Sequence, residues 1–312
     1  MLTGSRLLGC AVGLILAGGC GSSDSGETEL VFNPGALTYA RLTTNTASDT
    51  YPVWNSAGDQ VVFISTRTGD PEVWILGLTD TSLRRITSGE RYMVSRASWS
   101  PDGESVVFAA DFDESGPPAE ASVRLWIVAY LSTLPNLRQL TEGAVVDSWP
   151  AWSPDGATVL FSRADTLRLI PSDGGDVESL ALDGLGGVAL EAVWSPDGQR
   201  VAYSIFDGTD YNVYVQNVND GTPIAVATTA ANERNPAWSP GGRYIAFQSD
   251  AAGNWDIWVV GSAGGSPENL TGSCVHQDTQ PSWSPLGGRI VYCSDQTGNE
   301  DLWTVDGVPF TD

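Results

Sequence analysis

Short runs of β-branched and aromatic residues recur along the chain, each placed just after a glycine turn. They read VVFIS (61–65), VVFAA (106–110), TVLFS (158–162), RVAYS (200–204), YIAFQ (244–248) and RIVYC (289–293). Runs this short, bounded by turn residues, predict strands. A polar hairpin follows each run, and then a further strand, carrying Trp74, Trp126, Tyr214, Trp258 or Trp303. Next come a Gly/Asp turn and a short strand ending in RRIT, RQLT or ENLT. A tryptophan precedes every unit: Trp54, Trp99, Trp152, Trp194, Trp238 and Trp283, spaced by 45, 53, 42, 44 and 45 residues. Four short antiparallel strands in each unit of about 40–45 residues predict propeller blades. The expected class is therefore all-β, a six-bladed β-propeller. Helical-pair repeats are excluded by the period-2 alternation and the Pro-Gly turns.

The ends of the array predict how the ring closes. Trp74 precedes the closing Thr87 by thirteen residues, as Trp258 precedes Thr271. Counted from Trp303, the same strand would end near position 316, beyond the 312 residues of the chain. Residues 38–43, TYARLT, supply the missing strand: Thr43 stands eleven residues before Trp54, as Thr141 stands eleven before Trp152. An N-terminal outer strand is expected to complete blade six and remove the open sheet edges.

The motif at the start of each unit is Trp-Ser-Pro-Asp-Gly at Trp99, Trp152 and Trp194, with variants at Trp54, Trp238 and Trp283. These repeats resemble the WD-like repeats of the TolB-like propeller family, over about residues 36–312. The resemblance implies a propeller and, more weakly, a non-catalytic role in the cell envelope. The Pro-Asp-Gly triplets read as turn chemistry and the six tryptophans as packing between blades.

The first segment differs from the rest. Residues 1–20 carry one charge, Arg6, and an apolar run from Leu7 to Leu16, then small residues ending at Cys20. That run is of export-signal length, and its end resembles a lipoprotein lipobox. The expected organisation is a signal peptide over 1–19, a lipidated Cys20 opening a flexible tether over 20–35, and the propeller over 36–312. Export as a lipoprotein to the periplasmic face of the outer membrane, or to the cell surface, follows. The membrane would be held through the lipid alone, and a monomer is expected.

Charge and composition narrow the chemistry. Lys+Arg number 15 against Asp+Glu 38, a net charge of −23, and all fifteen basic residues are Arg. Lysine chemistry is excluded, and nucleic acid is not an expected partner. His276 is the single histidine, which excludes multi-histidine metal sites. No Gly-x-Ser-x-Gly elbow is present, so the chain carries no α/β-hydrolase signature.

Position five before the repeat tryptophan reads Asp49, Val94, Asp147, Ala189, Glu233 and Asp278. With hairpin acids such as Asp207, Asp250 and Asp295, these predict an acidic upper face that docks an envelope protein or small ligand. Between Trp99 and Trp126 blade two is seven residues longer than blades one, four, five and six, whereas blade three is shorter, with Arg168 sixteen residues after Trp152. The blade-two insert opens Asp111-x-Asp113-x-Ser115-Gly116, which resembles the start of a calcium loop, although position twelve is Ser122. Calcium is thus the one candidate cofactor. Cys274 and Cys293 flank one hairpin, and export favours a disulfide between them. The expected role is binding, not catalysis. The alternative is a polysaccharide lyase or glycosidase using channel carboxylates.

Overall fold

The computed structural model describes residues 37–87, 96–111, 123–130, 137–143, 146–182, 184–272 and 275–310. The first strand among the described residues is β1 (Thr38–Arg41). Blade one is β2 (Asp49–Trp54), β3 (Gln60–Ser65), β4 (Glu72–Gly77) and β5 (Leu83–Arg85). Blade two is β6 (Ala97–Trp99), β7 (Ser105–Ala110), β8 (Arg124–Ala129) and β9 (Leu137–Gln139). Blade three is β10 (Asp147–Trp152), β11 (Thr158–Arg163), β12 (Thr166–Pro171) and β13 (Glu178–Ser179). Blade four is β14 (Val188–Trp194), β15 (Arg200–Phe206), β16 (Tyr211–Asn217) and β17 (Pro223–Ala227). Blade five is β18 (Glu233–Trp238), β19 (Tyr244–Ser249), β20 (Asp256–Gly261) and β21 (Glu268–Asn269). Blade six is β22 (Asp278–Trp283), β23 (Arg289–Ser294) and β24 (Asp301–Asp306).

Six four-stranded antiparallel sheets result, so the sequence period is the blade period. Each second strand is buried on both faces, which is why it reads as a continuous apolar run. In β3, Val61 and Phe63 pack with Val291 and Leu302 of blade six, while Val62 and Ile64 pack with Trp99 and Phe108 of blade two. An aromatic on strand two lies opposite the strand-three marker in every blade that carries both, for example Phe63↔Trp74, Tyr203↔Tyr214 and Tyr292↔Trp303. Each fully buried aromatic of this layer contributes about 1.5–3 kcal/mol of apolar burial. The repeat tryptophans sit in these inter-blade seams, and the indoles of Trp54 and Trp238 donate to carbonyls of the preceding blade, Ser282 O and Val193 O, at 3.1 and 3.2 Å.

The Ser-Pro-Asp-Gly turns explain their own composition. Asp102 Oδ1 accepts from Ser100 Oγ at 2.5 Å and from the Glu104 N–H at 2.9 Å. Asp155 and Asp197 repeat this arrangement with Ser153 and Ser195. The serine hydroxyl, then the backbone N–H, lowers the pKa of each aspartate. Gly103 takes φ 72°, a left-handed position that glycine occupies without steric cost.

The ring closes as the spacing predicts. Blade six runs β1-β24-β23-β22, with Thr38↔Asp306 and Arg41↔Trp303 in register. Arg41 Nη2 reaches Asp301 Oδ2 at 2.6 Å and the Tyr39 hydroxyl donates to Leu270 O at 2.8 Å. Thr43 Oγ1 accepts the Leu302 N–H at 3.0 Å. Thr87, Thr141 and Thr271 do the same for Val73, Leu125 and Ile257 in their blades. The recurring terminal threonine is therefore a cap for strand three.

The expected Cys274–Cys293 disulfide is not shown among the described residues. Cys293 is a free, buried thiol whose Sγ donates to Gln280 Oε1 at 3.1 Å. The register of β23 turns it into the seam with blade one, beside Trp54 and Phe63, and burial pushes its pKa well above the usual value. Cys274 lies outside the described residues.

Candidate functional site

The four acids expected on an exposed face are instead buried: Asp49 and Asp147 are 0% exposed, Glu233 1% and Asp278 3%. A hairpin arginine reaches back to each of the first two. Arg67 Nη2 contacts both Asp49 oxygens at 2.9 and 3.0 Å, and Arg163 grips Asp147 through Nε and Nη2 at 2.6 and 2.7 Å. Glu233 accepts from the Thr229 hydroxyl and N–H. Burial raises its pKa, with the two Thr229 bonds opposing. Two hairpin acids brace the structure in a similar way. Asp250 and Asp295 accept the N–H groups of Asn232 and Gln277 at 2.8 Å, tying down the loop before strand one. Position five before the tryptophan thus braces the blade and does not form an acidic mouth. His276 is partly exposed in the same loop, with Nδ1 3.8 Å from Asp295 Oδ1. Asp111 is buried at 2% exposed. Asp113, Ser115 and Cys20 lie outside the described residues.

Asp278, like Glu233, pairs with no arginine among the described residues, and it differs from its counterparts because its Oδ1 has no hydrogen-bond partner there. Burial pushes it up to about 6, while the hydroxyls of Ser294 and Thr271 hold it back. In the unfolded chain the same group titrates near 3.8. Between about pH 4 and 6 the folded protein therefore binds the extra proton, and its stability falls as pH rises through that window. Asp278→Asn removes this cost. It should raise stability at pH 7.5 by roughly 1–2 kcal/mol and leave it little changed near pH 4, a difference that urea unfolding at the two pH values measures. An equal effect at both pH values would remove the titration as the cause.

The residues that do converge on the axis stand three before each repeat tryptophan. There, strand one carries a bulge in five blades: the register with strand two shifts between Thr50 and Val53, Ser148 and Ala151, Leu190 and Val193, Arg234 and Ala237, and Thr279 and Ser282. The bulged residues Tyr51, Trp149, Glu191, Asn235 and Gln280 all have left-handed φ, 53, 56, 60, 52 and 56°. Arg96 occupies the same position in blade two, directly before β6. Left-handed backbone costs a non-glycine residue of order 1 kcal/mol or more and persists only where the surroundings impose it. The bulge re-aims these side chains out of the sheet and toward the central channel.

The ring has two halves. Through blades four to six a hydrogen-bonded belt runs from one blade to the next. Glu191 is paired with Arg234 of blade five and accepts from Ser204 Oγ and the Asn235 N–H at 2.9 and 2.8 Å. Asn235 Nδ2 and the Gln280 N–H both donate to Gln248 Oε1, at 3.0 and 2.9 Å, and the Tyr51 N–H donates to Gln280 Oε1 at 2.8 Å. Through blades one to three the ring is aromatic and cationic. Tyr51 meets Trp149 edge-on, with centroids 5.3 Å apart at 75°, although blade two lies between their blades. Burial first, then the charge of Glu191, pushes Tyr51 up to about 12, so its phenol stays protonated. Burial pulls Arg96 down to about 10, with Glu191 and Tyr51 opposing, so the guanidinium stays charged at neutral pH.

Sequence reasoning did not single out this ring, although a signal exists. In four blades the motif reads x-Pro-x-Trp, at Tyr51-Pro52, Trp149-Pro150, Asn235-Pro236 and Gln280-Pro281. Proline tolerates a bulge, where a ladder hydrogen bond is already missing. The residue before it changes from blade to blade while everything around it repeats.

Fold and ring define a closed six-bladed propeller with a polar and aromatic constriction on its axis. Residues 20–174 and 166–308 match the family described as PD40, TolB beta propeller domain. The chain belongs to that family. A protein TolB homolog of Chlorobium chlorochromatii is 29% identical over 149 residues, which is 47% of this chain and 31% of that protein. An uncharacterized protein of Agrobacterium fabrum is 29% identical over 129 residues, 39% of this chain and 42% of that one. The matched segments thus span less than half the length of these curated relatives. Among solved structures, TolB from Acinetobacter baumannii aligns over 78% of this chain and 59% of its own, with TM-score 0.67 and 20% identity. An oligogalacturonate lyase from Vibrio parahaemolyticus aligns over 88% and 94%, with TM-score 0.60 and 16% identity. At these identities the solved structures speak to the fold alone.

Proposed function

We propose that the protein is a lipid-anchored binding protein of the bacterial cell envelope, which engages an envelope protein at the mouth of its channel. The observation that carries this reading is the ring: six different side chains at one repeat position, five of them in left-handed backbone, aimed at a common axis. Membership of the TolB propeller family supports an envelope setting. The polysaccharide-active alternative is less well supported. A glycosidase of the usual type sets two carboxyl groups about the scissile bond, and the six ring positions supply one, Glu191, held by Arg234. No group of three His, Cys, Asp or Glu among the described residues is placed to hold a metal ion.

Two experiments test the proposal. Mass spectrometry of the mature protein should find a lipidated Cys20 at its N-terminus; an unmodified N-terminus elsewhere removes the anchor. Pull-down from envelope extract should recover a partner with wild-type bait and lose it with Trp149→Ala, whose melting temperature should fall by only about 2 °C. Undiminished recovery by Trp149→Ala bait would remove the ring as the contact.

A further inference from the structure

The ring carries an unbalanced charge that the binding reading does not use. Two arginines and one carboxylate stand at the constriction: Arg96, Arg234 and Glu191. Glu191 is already committed, to Arg234, to the Asn235 N–H and to Ser204. Arg234 is committed in turn, to Glu191 and to the face of Tyr211, whose centroid lies 4.2 Å from its Cζ. Arg96 interacts with Glu191 and Tyr51 through space and makes no hydrogen bond to another described residue. A partly buried guanidinium whose donors meet no described residue is costly unless an anion meets it.

We propose that Arg96 receives a single carboxylate group, whose apolar body lies against the Tyr51–Trp149 pair. The inference rests on the ring being the ligand-facing site. A guanidinium offers a planar fork that matches a carboxylate with two parallel hydrogen bonds. Tyr51 and Trp149, the ring residues of the two flanking blades, already touch edge-on and supply a hydrophobic surface beside that fork. The net charge of −23 on the whole chain disfavours polyanions such as phosphates or acidic polysaccharides. One carboxylate on an apolar body fits both the local positive charge and the external field.

Calorimetric titration on the full-length protein tests this with four probes: benzoate, benzamide, and a short peptide ending in phenylalanine with a free or an amidated C-terminus. We expect saturable binding of one carboxylate probe or both, and roughly tenfold or more weaker binding of the matching amide. Benzoate alone would indicate a small-molecule ligand, and the free peptide alone a protein C-terminus. Because this comparison uses wild-type protein, it does not depend on a variant folding. Arg96→Gln should lower carboxylate affinity by the same factor, and Trp149→Ala should lower it for both members of a pair. Equal binding of acid and amide, no saturable binding of either acid, or unchanged carboxylate affinity in Arg96→Gln would overturn the proposal. Loss in Trp149→Ala without loss in Arg96→Gln would leave the ring as the site and remove the carboxylate. Loss in neither would remove the ring as well.

Discussion

Deleting residues 36–43 should lower the melting temperature of the whole propeller by roughly 10 °C, whereas deleting 21–32 should leave it unchanged. The shorter deletion removes β1, and with it the outer strand of blade six. It takes away the Arg41–Asp301 ion pair, the Tyr39 bond to Leu270 O, the Thr43 cap on Leu302 and the buried Leu37. Asp301 is 0% exposed and would be left without its arginine, a change that is strongly destabilising for a buried carboxylate. Summed conservatively, the loss is on the order of 4–5 kcal/mol, at about 2 °C per kcal/mol for a chain of this size. The deletion also leaves the edge of β24 unpaired, so the truncated protein should aggregate on heating. Equal melting temperatures for the two truncations would mean that the ring is not closed by this strand.

Glu191→Ala should be the most damaging single substitution on the channel axis, costing about 3–5 kcal/mol in urea unfolding. Glu191 is 0% exposed, and its loss strips Arg234 of its counter-charge and the Asn235 N–H and Ser204 hydroxyl of their acceptor. Ser204 and Asn235 are buried, so that hydroxyl and that N–H cannot regain water without opening the belt between blades four and five. Trp149→Ala at the same repeat position should cost only about 1 kcal/mol, since it gives up one edge-on ring contact at a partly exposed site. A cost below 1 kcal/mol for Glu191→Ala would show that the belt does not join the blades.

The fold is legible in the sequence because a propeller repeats its physics. Each blade needs a two-faced strand, a turn with glycine and an aromatic opposite the core, so VVFIS and RIVYC look alike for the same reason. The closing strand is legible because Thr43 caps strand three as Thr87 and Thr271 do, and therefore keeps the same spacing. The site is misplaced in the sequence reading for a related reason. Asp49, Asp147, Glu233 and Asp278 recur, and recurrence draws the binding role to them. They recur because the end of strand one needs a buried acceptor in most blades. What satisfies that acceptor is not visible from spacing: Arg67 and Arg163 reach back from the hairpin, and Thr229 from the loop before. The ring residues escape notice because they vary. Arg96, Trp149 and Glu191 share no chemistry; they share only their place three residues before the repeat tryptophan, where five of the six blades carry a bulge.

Photo-crosslinking tests most directly whether this ring, and not the opposite rim, meets the partner. p-Benzoylphenylalanine is placed at Trp149 in one variant and at Leu286 in another. Leu286 is 75% exposed in the turn between β22 and β23, on the face away from the loops that lead into strand one. Irradiated in envelope extract, the position-149 variant should form a covalent adduct with the partner recovered by wild-type bait, and the position-286 variant should not. An adduct from position 286 with none from position 149 would contradict the account.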